Sequence, residues 1–420
     1  MRVLLINTSE RAGGAAIAAS RLTDALNQNG VKAKLLVRDK TTDRPTTVRL
    51  SQQLKLRWTF LWERLRIWMA NGFKRQGLWE VDIANAGADI TALPEFREAD
   101  IIHLHWVNQG LLSMRQLKKI MQSGKPIVWT MHDMWPCTAI CHHARNCEHY
   151  YNHCHNCPQL LRPCAHDLSY QVFERKVKAY TNSNITFVGC SQWIADEARK
   201  SALLNSHQVV SIPNTYDAHL FYPVGDESRV ALRRQLGLPE RRRLVLFACQ
   251  KVTNVHKGLD YLIQALQSPT LAMLSEQMTV VVVGQMAESV AQHIPFPIRT
   301  MGYISSETTM AQLYQAVDLF VTPSLEENLP NTIMEAMACG TPCVGFRIGG
   351  IPEMIDHQVN GYVASYRDAE DLATGINYSI NPLHYDRLAK AAAEKALRAW
   401  NVDTVVRRYT TLYESLISEV

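Results

Sequence analysis

Long hydrophobic runs are missing from these 420 residues. No apolar stretch approaches the roughly 18–20 residues a membrane-spanning helix needs, and the longest candidates, such as Val280–Gly284, are strand-sized. Strong charge of one sign is also missing: 44 Lys and Arg against 39 Asp and Glu leave +5, too modest at this length to argue for nucleic acid as a partner. No repeat of 20–50 residues and no low-complexity tract is present, which excludes a solenoid. Met1–Asn7 enters directly into a short strand, and Ser9, Glu10 and Arg11 follow without an apolar leader core or a small-residue cleavage site, so the expected location is cytoplasmic.

With 47% hydrophobic and 20% charged residues, the chain has enough apolar side chains for two ordinary domains, each with its own core. Buried strands are predicted at Val3–Asn7, Ala33–Arg38, Asp100–Trp106, Pro126–Asp133 and Asn184–Ser191, with a helix over Ala15–Gln28. The plan repeats at Leu244–Ala248, Thr279–Gly284, Arg299–Ile304, Leu319–Thr322 and Cys343–Phe346. Strands alternating with helices imply an α/β chain of two doubly wound parallel sheets. A loop with two prolines, SIPNTYDAHLFYP, marks the join near Val210–Pro223. A last helix over Val402–Ser418 carries an apolar face of Val405, Tyr409, Leu412 and Leu416.

The segment LFVTPSLEENLPNTIMEAMACGTPCVGF, residues 319–346, is the most informative. A buried strand ends at Pro323 and Ser324. A loop with Glu326, Glu327 and Asn328 leads to Pro330, after which Ile333, Met334, Met337 and Ala338 recur at helical spacing until Gly340. Backbone N–H groups at Asn331, Thr332 and Ile333, with the positive end of the helix dipole, suit a diphosphate. Glu327 and Glu335 flank that point. Like charges repel, so each acid is expected to face hydroxyls, sugar on one side and ribose on the other.

This segment resembles the Glu-x7-Glu signature of glycosyltransferase family 4, the retaining GT-B sugar transferases, and MEAMACGTPCVGF extends the likeness. The resemblance implies two Rossmann-like domains facing a cleft: an acceptor-side domain over 1–212, a nucleotide-sugar domain over 213–395, and a helix over 396–420 crossing back to the first. Catalytic candidates are then Glu327, Lys257 and His132. Lys257 matches the family's Lys, and a cation there stabilises the charge building on a departing diphosphate. The family's partner Arg is missing, which leaves Lys251 or His256 to substitute. His132, in TMHD, matches the position that contacts the donor sugar. Gly13 and Gly14 open a helix after the first strand, as a ligand-approaching loop does. Gly302 and Tyr303 resemble the segment that meets the base. With Asn328, Leu329, Asn331, Thr332 and Glu335 they complete the donor-binding set. His105 stays open between function and structure, and His103 reads as a buried core residue.

Six of the ten cysteines lie between 137 and 164. In so large a chain their clustering points to a reduced site rather than disulfides. Cys141, Cys147, Cys154 and Cys157 suit a closed, structural tetrahedral zinc; an iron–sulfur centre or plain thiols are the alternatives. With HDMWP before and NCPQL after, the cluster resembles a branch of family 4 that includes colanic-acid and other bacterial polysaccharide transferases. Residues 51–80 combine six cations with two acids and interleaved Trp and Phe. Leu54, Trp58, Leu61, Trp62, Leu65 and Met69 recur at helical spacing, fitting either an anionic membrane surface or a helix packed on its own domain.

The reading is a retaining hexosyltransferase that moves a sugar from a UDP- or GDP-linked donor to a cell-surface glycan: lipopolysaccharide, capsule or exopolysaccharide. The acceptor is expected to be lipid-linked at the inner face of the membrane, with no catalytic metal and no nucleic acid involved. A nucleotide-sugar epimerase on the same fold, or a zinc-stabilised binding protein with an inactive cleft, are the competing readings.

Overall fold

The computed structural model describes residues 1–418 apart from Gln76. The chain divides into two units, Met1–Asn214 with the residues from Val405 onward, and Thr215–Thr404.

The first unit is built on seven strands: β1 (Arg2–Ser9), β2 (Lys32–Asp39), β3 (Thr47–Arg49), β4 (Ile101–Leu104), β5 (Ile127–Met131), β6 (Ile185–Gly189) and β7 (Gln208–Ser211). They pair in the order β3-β2-β1-β4-β5-β6-β7, every pair parallel. β4, β5 and β6 are buried along their whole length, so their sequence shows continuous apolar runs and not alternation. Helix α1 (Gly14–Gln28) follows β1, and α2 (Gln53–Ala70) follows β3. The helix Val402–Ser418 buries the four apolar residues expected of it, and its Tyr413 and Tyr409 hydroxyls bond His103 Nδ1 (2.7 Å) and Thr130 (2.9 Å) inside the first unit.

Six strands form the second sheet: β8 (Arg243–Lys251), β9 (Met278–Gln285), β10 (Ile298–Thr300), β11 (Leu319–Thr322), β12 (Cys343–Phe346) and β13 (Gly361–Ala364). Their order is β10-β9-β8-β11-β12-β13, again wholly parallel. A valine run, Val280–Val283, fills the middle of β9, where branched side chains suit a pleated surface buried on both faces.

In each sheet the strand order reverses beside the unit's first strand, between β1 and β4 in one and between β8 and β11 in the other. Ligands of open parallel sheets bind beyond the carboxyl ends of the strands at such switch points. Three departures from the sequence reading sit at the margins. β3 and β13 are short outermost strands without a run long enough to read. β10, outermost on its side, ends at Thr300, so Gly302 and Tyr303 lie in irregular chain beyond the strand. An outer strand has one neighbour and pairs only as far as that neighbour's geometry allows.

Candidate functional site

In the second unit the switch point is made of two loops. β8 ends at Lys251, and the chain makes a 3₁₀ turn over Val255–Lys257 before a helix begins at Leu259, so Lys257 closes a turn and does not open the helix. β11 ends at Thr322 and leads through residues 323–330 to the helix Asn331–Ala338. The two loops are locked together. Leu325 N–H donates to the His256 carbonyl at 2.8 Å. Gly258, at positive φ, lies so close to Pro323 that a Cβ would fall 1.8 Å from its carbonyl oxygen. Gly349, also at positive φ, presses on the other side, where a Cβ would lie 1.7 Å from the Glu327 carbonyl oxygen, and Gly350 N–H donates to the Asn328 carbonyl at 2.9 Å.

Held this way, Glu327 meets Lys257: Nζ lies 2.5 Å from Oε1, with both side chains partly exposed. The Glu327 charge raises the Lys257 ammonium above its ordinary range, against the opposing effect of burial, so the cation is permanent at neutral pH. His256 Nδ1 lies 3.4 Å from Glu326 Oε1. The helix Asn331–Ala338 starts on Pro330 with no side-chain cap. Ile333 N–H, expected to face a phosphate, instead donates to the Pro330 carbonyl at 3.1 Å. Asn331 and Thr332 are the first two residues of this helix. Glu335 lies on this helix, 8% exposed, and Asn328 and Leu329 are buried in the loop before it. Lys251 is exposed at the end of β8. The Gly302 carbonyl accepts from Gly284 N–H at 2.7 Å, and Tyr303 beside it is exposed.

In the first unit the corresponding ends are those of β1, β4 and β5. Gly13 stands immediately before α1, exposed and with open space at the place of a Cβ, and Gly14 opens the helix. Beyond β4 and β5, His105 Nδ1 and His132 Nε2 lie 2.9 Å apart with their rings stacked. Burial pushes His132 down to about 4 and, with neighbouring His103 and His132, holds His105 well below the ordinary imidazole value, so both are neutral at physiological pH. His103 is fully buried and satisfied by Tyr413 and by Thr130 Oγ1 (2.8 Å), a structural residue as expected.

Sequence reasoning missed what fixes this end. Asp133, next to His132, accepts from Trp106 Nε1 at 2.8 Å and from His142 Nδ1 at 2.7 Å; the other His142 nitrogen meets Asp82 at 2.7 Å, and Asp82 pairs with Arg64 of α2. Burial alone would lower His142, but its two carboxylate partners raise it to about 10. The network joins residues 64, 82, 133 and 142, a separation at which no local pattern is visible. Position directly after His132 was the one available signal.

The zinc expectation finds no support in the structure. Among the described residues no group of three or more His, Cys, Asp and Glu is placed to hold a metal ion. Cys141, Cys147, Cys154 and Cys157 do line one cavity of about 20 Å³, with His149, Tyr150 and His155. Burial pushes Cys141, Cys154 and Cys157 up to about 12, and Cys154 and Cys157 join Cys137 in the apolar core.

Two wholly parallel α/β units, each with its own switch point, define the GT-B fold, and solved structures share it. Sucrose-phosphate synthase from Thermosynechococcus elongatus superposes with a TM-score of 0.70 at 20% identity over 100% of both chains. Alr3699/HepE of Anabaena, in complex with UDP-glucose, gives 0.66 at 18% identity over 99% of this chain and 100% of the other. In sequence, residues 12–220 match the family described as Glycosyltransferase Family 4 and residues 242–381 match Glycosyl transferases group 1. An uncharacterized glycosyltransferase of Methanocaldococcus jannaschii is 22% identical over 375 residues, 82% of this chain and 92% of that protein. The chain belongs to these family 4-like glycosyltransferases.

Proposed function

We propose that the protein transfers a hexosyl residue, with retention, from a UDP- or GDP-linked donor to a hydroxyl of a cell-surface glycan: lipopolysaccharide, capsule or exopolysaccharide, carried on a lipid at the inner face of the membrane. One observation carries the reading. The Lys257–Glu327 pair stands at the switch point of the second unit, beside an uncapped helix terminus, so a cation, a carboxylate and backbone donors converge within one loop cluster.

In this reading the bond from the anomeric carbon to the diphosphate breaks as the acceptor oxygen attacks the same face, and the acceptor proton passes to the leaving phosphate. Lys257 stabilises the charge that develops on the diphosphate, which is greater in the transition state than in the bound donor. Glu327, freed in part when the phosphate draws Lys257 away, accepts from sugar hydroxyls, and Glu335 from the ribose. The Asn331 and Thr332 N–H groups hold the diphosphate without a catalytic metal. His132, neutral, donates or accepts beside the reacting carbon without adding charge. Gly13 and Gly14 let the backbone approach the ligand, and Gly302 and Tyr303 meet the base. The cysteine-bearing segment is assigned to the polysaccharide branch of the family, and the site itself to the cytoplasmic side.

A thermal-shift panel of nucleotide sugars followed by transfer assays tests this. The cognate donor raises the melting temperature, and Lys257→Ala or Glu327→Ala lowers kcat by about 10²–10³-fold with the fold intact by circular dichroism. Wild-type turnover in either variant overturns the assignment. Isomerisation of donor incubated alone assigns an epimerase instead.

A further inference from the structure

Helix α2 presents two faces that the sequence could not tell apart. Its buried residues are Leu56, Glu63, Arg64 and Ile67. Two of these are charged and are satisfied inward: Glu63 Oε1 accepts from the Ile83 and Ala84 N–H groups at 2.8 and 2.6 Å, and Arg64 pairs with Asp82 and donates to the Leu78 carbonyl at 2.6 Å. The helix is therefore anchored by its polar side chains, the reverse of the usual surface helix.

The apolar stripe points the other way. Leu54, Trp58, Leu61, Trp62, Leu65 and Met69 are all exposed, Leu54 by 75% and Trp58 by 72%. At 3.6 residues per turn they share an arc of about 100°, with Lys55, Arg57 and Arg66 just outside its edges and the buried four on the opposite side. Beyond the helix Phe73 and Trp79 are exposed by 64% and 62%, and Lys74 and Arg75 are exposed beside them. The only two acids of the segment do not offset these cations: Glu63 is buried, and Glu80 pairs with Arg145 at 2.8 Å.

We propose that α2 and the turn after it form a docking surface for an anionic lipid bilayer, the tryptophans seated at the level of the headgroups. Charge complementarity selects this occupant. A second copy laid stripe to stripe would bring the flanking cations against their own kind, whereas an anionic surface accepts them all. The helix has 18 residues, about 27 Å at 1.5 Å per residue, yet no helix of the described residues is apolar enough to cross a membrane, so α2 lies in the interface plane. The proposal does not rest on the transfer reaction and is tested without it.

Flotation with phosphatidylglycerol-containing vesicles and with pure phosphatidylcholine vesicles tests it on the full chain. Wild type floats with the anionic vesicles and less so in high salt. Trp58→Glu with Trp62→Glu lowers partition roughly tenfold or more, and Arg57→Gln with Arg66→Gln weakens binding only to the anionic vesicles. Both double variants keep the wild-type melting temperature and donor-induced thermal shift, which separates loss of docking from loss of the donor site. Absence of vesicle binding, equal binding by wild type and the Trp variant, or a solution dimer that Trp58→Glu dissolves overturns the proposal.

Discussion

At the scale of single residues the two neutral histidines beyond β4 and β5 constrain one another. His105 Nε2 is buried and has no hydrogen-bond partner among the described residues, while its Nδ1 meets His132 Nε2. A buried N–H without an acceptor costs more than a lone pair without a donor. The proton of His105 therefore sits on Nδ1 and donates to His132 Nε2, which leaves His132 protonated on Nδ1. Nitrogen NMR of selectively labelled protein is expected to show that tautomer for His132 at neutral pH, and His105→Phe to mix the two tautomers. An Nε2-protonated His132 in wild type refutes the arrangement. The three histidines were visible in HLHW and TMHD. Their separate roles were not, because they depend on which hydroxyl or ring lies opposite each one.

At the scale of elements, the loop that carries Glu327 is shaped by residues outside the motif. Glu327 sits where it does because Gly349, from the turn after β12, leaves no space behind its carbonyl. Gly349→Ala adds a methyl group into that contact at a positive φ, and is expected to cost about 2–3 kcal/mol of stability and to lower kcat as the Glu327–Lys257 pair shifts. Unfolding in urea and transfer kinetics check both; an unchanged midpoint and rate would show the loop to be independent of that turn. Strands with long apolar runs, such as β1, β9 and β11, were legible because burial on both faces leaves a composition signal. β3 and β13 were not, and β10 was legible only in part, since the run Arg299–Ile304 overshoots a strand that ends at Thr300. All three are outermost in their sheets, so their existence and extent depend on the neighbour each pairs with. The periodicity of α2 was legible too, but period alone does not say which face meets protein.

At the scale of the molecule, a charged network inside the first unit makes its stability depend on pH. His142 is held at about 10 by Asp133 and Asp82, above the ordinary 6.5, so its contribution is complete below pH 6.5 and is lost as pH rises through about 10. Asp133 is held down at about 2 by His142 and backbone bonds despite burial, so its share is present above pH 4 and is lost as pH falls toward 2. His142→Gln is expected to lower stability by about 3 kcal/mol at neutral pH, since removing one member leaves buried charge unpaired, and to flatten the decline between pH 7 and 10. Denaturation midpoints across that range in both proteins check it, and parallel curves would remove His142 as the cause.

Sequence alone determined the α/β class, most of the strands, the terminal helix and the loop that carries Glu327, because continuous burial, proline, glycine and helical spacing act over a few neighbouring residues. Tertiary structure decided the rest. It set Lys257 against Glu327, tied Arg64 through Asp82 and His142 to Asp133, and left Trp58 and Trp62 of α2 exposed. The first two join segments far apart in the chain, the third depends on which helix face is buried, and only the folded backbone fixes which side chains come within reach of one another.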